Sequence, residues 1–393
     1  MENKRFLKPE SPLCKNLSLY IHIPFCKTRC GYCDFLTFAD KNSFFEPYKN
    51  ALIQEIKSYD LSSYTINSVF IGGGTPTVLP CNFTEEILLA VYTHPIAENA
   101  EITIEANPGN LSLNYLRTLK NSGINRLSLG LQAWQNIVLK KLNRGHNLKD
   151  FLTNYKNARK LGYSNINIDL IFSLPFFEND IQAFNNWLTT LKNTVESEPD
   201  HISLYSLILE ENTPFFIAYE QNKLKPQSPE LDRRMYHFAC NYLAKKGYSH
   251  YEISNFAKKN KESRHNSVYW QRGEYLGLGL GSHSFMNNAR WFNEENLTEY
   301  IKNSGKSLKY AYTILSKKEA MEEFVFLGLR CIEGISPQTF KENFGVDLMR
   351  VFGKIIECNI KKGFLEIKNH RLKLTRNALD ISNKVMSDFY NTE

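Results

Sequence analysis

The sequence predicts an α/β protein in which repeated βα units build a mostly parallel sheet, followed by a small α+β domain. Three observations support this fold class. From about residue 17, short apolar runs alternate with longer segments of helical period. From residue 316 the pattern changes to helices followed by a hairpin. The chain has 393 residues, more than the roughly 250–300 at which a single hydrophobic core stops growing, so we expect two domains.

Six apolar runs are predicted as strands and lie at residues 17–23, 68–73, 100–107, 124–132, 165–175 and 201–209. The helices between and after them are predicted at residues 47–59, 84–92, 113–122, 149–161, 181–195 and 231–246. Such units, joined by right-handed crossovers, form either a partial barrel or an open doubly wound sheet, and periodicity does not distinguish the two. In both, the functional loops follow the carboxyl ends of the strands.

Four segments are expected along the chain. They are an N-terminal tail over 1–12, a core domain over 13–249, a connecting segment over 250–314 and a C-terminal domain over 315–393. The connecting segment is rich in Asn, Gly, His and aromatic residues, and we interpret it as an elaborated connection rather than another βα unit. In the last segment, predicted helices precede a hairpin that turns at Asn369-His370. This order is typical of a winged-helix-like domain.

Composition and charge argue against several classes of protein. The net charge is +7, but Lys and Arg are dispersed along the sequence, so nucleic-acid binding is not indicated. The sequence has no apolar run of about 18 residues and no signal-peptide pattern, so we expect no integral membrane segment. Of its 8 cysteines, some lie close together and the others are scattered, unlike a disulfide framework. We expect a cytoplasmic protein with a metal centre.

The close cysteines form the strongest chemical signal. Cys26, Cys30 and Cys33 follow the first predicted strand, in a loop that can fold around a metal. Three thiolates bound to a 4Fe-4S cluster leave one iron open to chelate a small molecule through amino and carboxylate groups. S-adenosylmethionine (SAM) has both groups of that chelate. An electron from the reduced cluster can split SAM into methionine and a 5′-deoxyadenosyl radical. The motif therefore predicts a radical SAM centre.

Two other roles of these cysteines stay open at this point. With His22 as a fourth ligand they would form a closed tetrahedral zinc site. Against this, His22 lies within the alternation of the first predicted strand and shares a face with Tyr20, so it does not point into the loop. It lies near a cofactor or is a hydrogen-bonded core histidine. A redox or disulfide role of the thiols is the second alternative.

A glycine run follows the second predicted strand. Gly72, Gly73 and Gly74 lack side chains and so permit close approach of a ligand to the backbone. The run is neither a Walker loop, because no Lys-Ser/Thr pair follows, nor a dinucleotide fingerprint with correctly spaced glycines. Together with the cysteine loop, it indicates a cofactor site rather than a plain turn.

These motifs resemble a known family. The cysteine motif, the GGGTP run and the segments TIEANPG, LSLGLQ, NRGH and NIDLIFSLP are similar to the radical SAM group that contains oxygen-independent coproporphyrinogen III oxidase (HemN) and its relative HemW. The resemblance covers most of the chain and implies a partial (β/α)6 barrel of the TIM type. It also implies a set of SAM-binding residues: Tyr20, Tyr32, Gly73, Gly74, Thr75, Glu105, Gln132, Arg144 and Asp169. In such a set a carboxylate or amide can hold ribose hydroxyls, and an arginine can pair with a carboxylate.

Two features separate the members of this family. The oxidases carry a further cysteine two residues after the third, where this sequence has Phe35. HemW-like members carry a non-cysteine residue there. The segment RHNSVYW at 264–270 also matches their HNxxYW signature, which offers an imidazole for haem iron and aromatic rings for a porphyrin face. The haem-binding candidates are therefore His265, Asn266, Tyr269 and Trp270.

The resemblance favours a haem chaperone that binds haem and delivers it to a haem-accepting protein, with SAM and the cluster regulating or enabling the transfer. One alternative is an oxidase that decarboxylates two propionates of coproporphyrinogen III, and another is a radical haem-degrading enzyme. Cleavage of SAM needs one electron, so a flavodoxin or ferredoxin donor is implied. Arg264 and Arg272 can meet haem propionates. His250 and His283 are further candidates for the iron ligand.

Overall fold

The computed structural model describes residues 14–303, 306 and 309–390, so the expected tail over 1–12 lies outside the described residues. The strands are β1 (Lys15–Ile23), β2 (Phe25–Cys26), β3 (Phe38–Ala39), β4 (Tyr64–Gly73), β5 (Ile96–Ala106), β6 (Arg126–Gln132), β7 (Ile166–Phe172), β8 (His201–Ser206), β9 (Ser249–Glu252), β10 (Asn255–Ala257), β11 (Tyr275–Leu278), β12 (His283–Met286), β13 (Ala289–Phe292), β14 (Tyr310–Ile314), β15 (Leu365–Lys368) and β16 (Arg371–Leu374). The α-helices are α1 (Phe45–Ser58), α2 (Cys81–Val91), α3 (Leu113–Asn121), α4 (Asn136–Lys141), α5 (Leu148–Lys160), α6 (Asp180–Glu196), α7 (Pro214–Glu220), α8 (Pro229–Lys245), α9 (Arg264–Trp270), α10 (Leu297–Lys302), α11 (Lys317–Gly328), α12 (Pro337–Phe344), α13 (Leu348–Lys361) and α14 (Ser382–Ser387).

One mixed sheet dominates the molecule. Within the described residues its 12 strands follow the order β14-β13-β12-β11-β1-β4-β5-β6-β7-β8-β10-β9. The strands from β11 through β1 and β4 to β8 run parallel. Antiparallel strands extend the sheet at both ends. The α/β fold class is confirmed.

Alternate residues of the parallel strands face two different environments. On β6, Leu127 and Leu129 are fully buried in the hydrophobic core, whereas Arg126 and Ser128 line a central cavity. The neighbouring strands contribute further side chains to this cavity, among them Tyr20, Phe70, Glu105, Asp169 and Ser203. Six adjacent strands can line one cavity only if the sheet curves around it. The sheet is therefore a partial barrel and not an open doubly wound sheet.

The predicted helices that follow the six strands are all present, and local signals set their ends. α5 is capped by Asn147, whose side chain accepts a hydrogen bond from the Asp150 N–H while the Asp150 carboxylate accepts one from the Asn147 N–H. Pro229 occupies the first turn of α8, where no N–H is needed. Among the helices of the described residues, none is long and apolar enough to cross a membrane.

The connecting segment is more structured than the sequence predicted. It adds β11 beside β1, and it supplies the antiparallel strands at both ends of the sheet. Its helix α9 lies at the amino ends of the barrel strands, where the Glu101 carboxylate accepts hydrogen bonds from the N–H groups of Arg264 and His265 at 3.2 and 3.1 Å. β11 spans only four residues and pairs with a strand far away in sequence. Local periodicity does not report such pairing, so the interpretation as an elaborated connection did not include these strands.

The C-terminal part has the predicted order of helices followed by a hairpin. α11, α12 and α13 precede β15 and β16, which pair antiparallel. Asn369 and His370 form the turn with φ angles of 52° and 58°, the left-handed backbone that a two-residue hairpin turn needs. This part also joins the sheet, because the N–H of Ile253 donates to the carbonyl of Arg330 at 3.1 Å.

Candidate metal and cofactor site

The three predicted ligand thiols meet at one end of the barrel. Cys26 ends β2, and Cys30 and Cys33 lie on the loop that follows. All three line a cavity of about 450 Å³ at the carboxyl ends of the strands, which we call the outer cavity. The Arg144 guanidinium donates from Nη1 to the Sγ of Cys30 at 3.3 Å, and the Thr75 hydroxyl lies 3.6 Å from the Sγ of Cys26. The fold thus brings the thiols together with polar partners.

Burial affects the protonation of Cys26 and Cys33. It raises the pKa of Cys26 to about 11 and also raises the pKa of Cys33. Thiols with such pKa values carry their protons at neutral pH, and metal binding releases those protons because only thiolates are ligands.

The glycine run lets the end of β4 pack against the cysteine loop. The N–H of Gly74 donates to the carbonyl of Ile23 at 2.9 Å, and the N–H of Thr75 donates to that of Phe25 at 2.8 Å. A Cβ on Gly74 would lie 2.6 Å from the Phe25 oxygen. Gly73 has a φ of +110°, which favours glycine. Both glycines also line the outer cavity, so the run shapes the loop as well as the ligand space.

Most of the SAM-binding residues implied by the family resemblance share this cavity. Its lining includes Tyr32, Gly73, Gly74, Thr75, Glu105, Gln132, Arg144 and Asp169. Tyr20 lies elsewhere. It lines a neighbouring cavity deeper in the barrel, and its hydroxyl lies 2.9 Å from Nδ1 of His22. The placement of Tyr20 beside SAM therefore stays a prediction.

Two buried acids face the cavity in different hydrogen-bond settings. Glu105 accepts a hydrogen bond from the Gly73 N–H at 3.1 Å, and burial together with the Asp169 charge raises the pKa of its carboxyl to about 8. Asp169 accepts hydrogen bonds from Ser128 at 3.1 Å and Asn167 at 2.8 Å, and burial raises its pKa. A protonated Glu105 can donate a hydrogen bond to a ligand hydroxyl as well as accept one.

A separate observation supports the binding of a 4Fe-4S cluster and SAM in the outer cavity. Within the described residues, two of its buried polar atoms have no hydrogen-bond partner: Oε1 of Gln132 and Nε of Arg144. Gln132 also has a φ of 69°, a strained backbone that is found at ligand sites. An unpaired buried polar group costs roughly 1–3 kcal/mol, which a polar ligand offsets. The thiols would hold the cluster, and Gln132 and Arg144 would bind the molecule chelated to it.

His22 is a hydrogen-bonded core residue, one of the two roles that the sequence left open. Its Nε2 lies 3.0 Å from the carbonyl oxygen of Leu36 and its Nδ1 contacts the Tyr20 hydroxyl, so both ring nitrogens are engaged. Across residues 14–303, 306 and 309–390, no group of three or more His, Cys, Asp or Glu side chains surrounds a position for one metal ion. In a zinc site all ligands surround one ion, with the thiolates at about 2.3 Å from it. The thiolates of a 4Fe-4S cluster bind different irons, so these sulfur atoms lie farther from one another. The engagement of both ring nitrogens argues against His22 as the fourth ligand of a zinc site.

Of the haem-binding candidates in the RHNSVYW segment, His265 is buried and the other three are partly buried. His265 is 1% exposed, with Nδ1 2.9 Å from the Ser68 hydroxyl and Nε2 2.8 Å from that of Tyr269. Burial lowers its pKa to about 3. Asn266 and Tyr269 line the deeper cavity with it, whereas the Trp270 ring lies 4.3 Å from the Arg330 guanidinium. The ring nitrogens of His265 are therefore engaged within the chain.

The further haem candidates are mostly engaged as well. Arg272 donates to Glu323 at 3.1 Å, and Arg264 donates to the carbonyl of Asn99. His250 stacks on Phe256 at 4.2 Å between ring centroids. His283 is exposed.

The structure also adds residues to the site that the sequence did not single out. Tyr205, Leu207 and Ile208 line the outer cavity opposite the cysteine loop. Residues 201–209 were predicted as one continuous strand, but β8 ends at Ser206 and the apolar residues after it lie at the cavity. The signal in the sequence was that the apolar residues continue past the end of β8, to Leu207 and Ile208.

The partial barrel, the loop with three thiols and the polar residues at the strand ends together define a radical SAM protein. Comparison with known proteins agrees. The family model for the radical SAM superfamily matches residues 20–188, and the model for the HemN C-terminal domain matches residues 315–381. A solved structure of the Escherichia coli coproporphyrinogen III oxidase (HemN) aligns with a TM-score of 0.82 at 22% identity, covering 96% of this chain and 90% of that chain. That likeness confirms the fold.

Full-length relatives define the family more closely. A Lactococcus lactis protein named heme chaperone HemW is 34% identical over 383 residues, which cover 96% of this chain and 98% of the relative. A Bacillus subtilis protein of the same name is 33% identical, with 95% and 98% covered. The chain belongs to the HemW family of radical SAM proteins. Membership in the radical SAM superfamily implies a 4Fe-4S cluster and SAM as cofactors.

Proposed function

We propose that this protein binds haem and transfers it to a haem-accepting protein, with SAM and a 4Fe-4S cluster held beside the haem. The names of the full-length relatives support this function. The structural observation that carries it is the exposed apolar rim of the outer cavity. When bound, the cluster supplies the electron that cleaves SAM.

The rim consists of large apolar side chains that are exposed although they surround a cavity. Phe35 is 62% exposed, Ile208 62% and Tyr205 42%. Exposed apolar side chains grouped at a cavity mark a ligand or partner site. A porphyrin is a flat apolar ring with charged groups at its edge, so Phe35 and Tyr205 can stack on its face. Haem would lie over the outer cavity.

The position of Phe35 also separates this function from the oxidase. In the resembling oxidases a thiol occupies this position, whereas here a large apolar ring lines both the outer cavity and the deeper one. A phenyl ring offers contact area but no ligand atom or proton. We therefore keep decarboxylation of coproporphyrinogen III as an outcome to be tested.

Two histidines can supply the iron ligand, His265 and His283. For His265 to bind iron through Nε2, the Tyr269 hydroxyl must leave that nitrogen. His283 is exposed and needs no such change. The haem spectrum of His265→Ala and His283→Ala separates the two, because only loss of the iron ligand changes the spectrum as well as the affinity.

Transfer also requires two protein partners. One is the haem-accepting protein, and the other is a flavodoxin or ferredoxin that delivers one electron for SAM cleavage. A reducing compartment such as the cytoplasm keeps cysteine ligands available for the cluster.

Parallel assays on the anaerobically reconstituted protein test the function. We expect stoichiometric haem binding and no formation of protoporphyrinogen from coproporphyrinogen III with SAM and reductant. Protoporphyrinogen formation over many turnovers would refute the chaperone function in favour of the oxidase. Loss of haem absorbance only on reduction in the presence of SAM would instead indicate a haem-degrading enzyme.

A pair of surface variants tests the location. Ile208→Ser is expected to weaken haem binding, because it removes an apolar contact of the rim. Ile137→Ser is the matched control, since Ile137 is 68% exposed on α4 and does not line the outer cavity. Equal haem affinity of both variants would place the haem elsewhere.

A further inference from the structure

The central cavity of the barrel, which lies deeper than the outer cavity and is lined by Tyr20 and His265, has not been given a role so far. We call it the inner cavity. Its volume is about 230 Å³, and it shares Phe35, Glu105 and Tyr205 with the outer cavity. Arg126, at the start of β6, and His265 on α9 line its far end. Pockets that enclose drug-sized ligands have roughly 300–1,000 Å³. The inner cavity therefore admits a side arm of a ligand rather than a macrocycle.

Arg126 is the group in this cavity that the fold does not explain. It is 1% exposed, and its Nε has no hydrogen-bond partner within the described residues. None of the ion pairs formed among those residues involves Arg126. A buried charge is costly unless it is paired and hydrogen-bonded. Such a guanidinium is suited to a carboxylate that comes with a ligand.

The buried acids around Arg126 are held by other donors. Glu105 is bound by the Gly73 N–H and Asp169 by Ser128 and Asn167. Both acids experience the Arg126 charge, which lowers their pKa values against the effect of burial. They are near enough to interact with the guanidinium, but Oε2 of Glu105 and both carboxylate oxygens of Asp169 accept hydrogen bonds from other donors.

The remaining titratable groups near Arg126 do not supply its counter-charge. Glu101 caps α9 by accepting hydrogen bonds from two backbone N–H groups of that helix. Burial and the Arg126 charge lower the pKa values of His201 and His265, so both rings are neutral. The Tyr251 hydroxyl bonds the His201 ring at 2.8 Å.

We propose that Arg126 is a carboxylate-binding residue and that it takes one propionate of the porphyrin bound at the outer cavity. This inference rests on the proposed function and adds a binding site to it. The planar guanidinium matches a carboxylate with two parallel N–H donors. The Asn266 amide lines the same cavity and can donate to the same group. A propionate that enters past Phe35 and Tyr205 would hold one porphyrin edge next to the SAM site.

SAM is the other source of a carboxylate in this barrel. Arg144 lies at the outer cavity with its Nη1 on Cys30, next to the thiols that would hold the cluster. That position suits the carboxylate of a molecule chelated to the cluster, so Arg144 serves SAM and Arg126 serves the porphyrin. The experiment must distinguish the two carboxylates.

Titration of the anaerobically reconstituted protein with haem and with haem dimethyl ester measures the carboxylate contribution directly. The ester keeps the macrocycle and the iron but has no charged propionate. We expect the wild type to bind haem about ten- to hundredfold more tightly than the ester, as for hydrogen bonds to a charged group. Arg126→Gln should lose this preference and keep the affinity for the ester. Arg144→Gln should weaken SAM binding and keep the preference for haem.

Three results would overturn the assignment. If Arg126→Gln retains the preference for haem, only this inference fails. If Arg126→Gln weakens SAM binding and leaves the preference intact, the residue serves the SAM carboxylate instead. If the wild type binds neither porphyrin, the proposed function fails, and this inference with it. Should Arg126→Gln not fold, Asn266→Asp is the second variant, because a carboxylate in the same cavity would repel a propionate and abolish the preference for haem.

Discussion

The thiols of the cysteine loop have different neighbours although one short loop carries all three. Cys30 receives a hydrogen bond from the Arg144 guanidinium, whereas Cys26 lies beside the Thr75 hydroxyl and close to Gly74. Gly74 and Thr75 follow β4, whereas Arg144 follows α4, so the cluster site depends on the barrel as well as on the loop. Substitutions at a ligand and at a supporting residue should therefore have separable effects.

Replacement of one ligand tests the cluster. Cys30→Ser should lose most of the iron after anaerobic reconstitution while the protein stays folded, because the removed thiol is only partly buried and serine has nearly the same size. Iron and sulfide per chain and circular dichroism are the measurements. Cys358→Ser, at an exposed cysteine on α13, is the control and should reconstitute like the wild type. Full iron content in Cys30→Ser would contradict the ligand assignment.

The close packing at Gly74 allows a test in which the substitution at the site and the control substitution change the free energy of unfolding in opposite directions. Gly74→Ala should lower the free energy of unfolding by about 1–3 kcal/mol, because its Cβ would lie 2.6 Å from the Phe25 oxygen and 3.0 Å from the Sγ of Cys26. Gly353→Ala, inside α13, meets only Met349 at 3.8 Å and should stabilise by roughly 0.5–1 kcal/mol. Urea unfolding measures both. Equal effects of the two variants would show that the glycine at 74 is not required by packing.

At the scale of elements, the sequence predicts those turns and helix ends that are formed by residues close together in the chain. The hairpin turn at Asn369-His370 was predicted from a short motif, and the cap of α5 at Asn147 likewise involves only residues close in sequence. α9 was not, because its position under the barrel depends on Glu101, which lies far away in sequence. For the same reason the sequence showed a histidine in RHNSVYW but not that both nitrogens of His265 are engaged. The motif located the residue, and only the tertiary contacts define its state.

Glu55 on α1 joins that helix to the strands of the connecting segment. Its carboxylate accepts hydrogen bonds from Tyr300 at 2.6 Å, Gly279 at 2.8 Å and Asn293 at 2.6 Å. Glu55 is fully buried, and burial raises the pKa of its carboxyl to about 7 despite these donors. The folded state therefore holds a proton that the unfolded chain releases above its ordinary pKa of about 4.3.

This buried carboxyl predicts a pH dependence of stability. Because the folded state binds more protons between about pH 4.3 and 7, the contribution of Glu55 to the free energy of unfolding falls as pH rises through that window, by roughly 3–4 kcal/mol in total. Glu55→Gln should remove this part of the slope, measured by urea unfolding at several pH values. Glu46→Gln, at an exposed position on the same helix, should keep the wild-type slope. Parallel curves for Glu55→Gln and the wild type would refute the assignment.

At the scale of the whole molecule, the two expected domains share one hydrophobic core. Val325 and Phe340 of the C-terminal part belong to the same buried cluster as Leu19 of β1. Backbone hydrogen bonds also cross between the parts, since the N–H of Ile332 donates to the carbonyl of Tyr251 at 3.1 Å. The C-terminal part therefore stabilises the barrel directly and is not a loosely attached module.

Arg330 connects these parts electrostatically, and its removal should destabilise both. Its Nη2 lies 3.5 Å from the Oε2 of Glu252, which is fully buried, and its guanidinium lies over the Trp270 ring. Arg330→Ala should lower the free energy of unfolding by about 3–5 kcal/mol, because it leaves a buried carboxylate without its partner. Denaturant unfolding measures the loss. Lys302→Ala, which removes an exposed pair with Glu299, should cost less than about 1 kcal/mol.

The charge explanation for Arg330 can be separated from lost packing by a second substitution. In the Arg330→Ala background, Glu252→Gln should recover part of the stability, because the unpaired buried charge is then absent while the cavity left by the arginine stays. A further loss in the double variant would mean that packing against Trp270 is the main contribution of Arg330. Since Trp270 ends the helix that carries His265 and Asn266, loss of this contact should also alter the inner cavity. Haem titration of Arg330→Ala would then show weaker binding, although Arg330 lies outside both cavities.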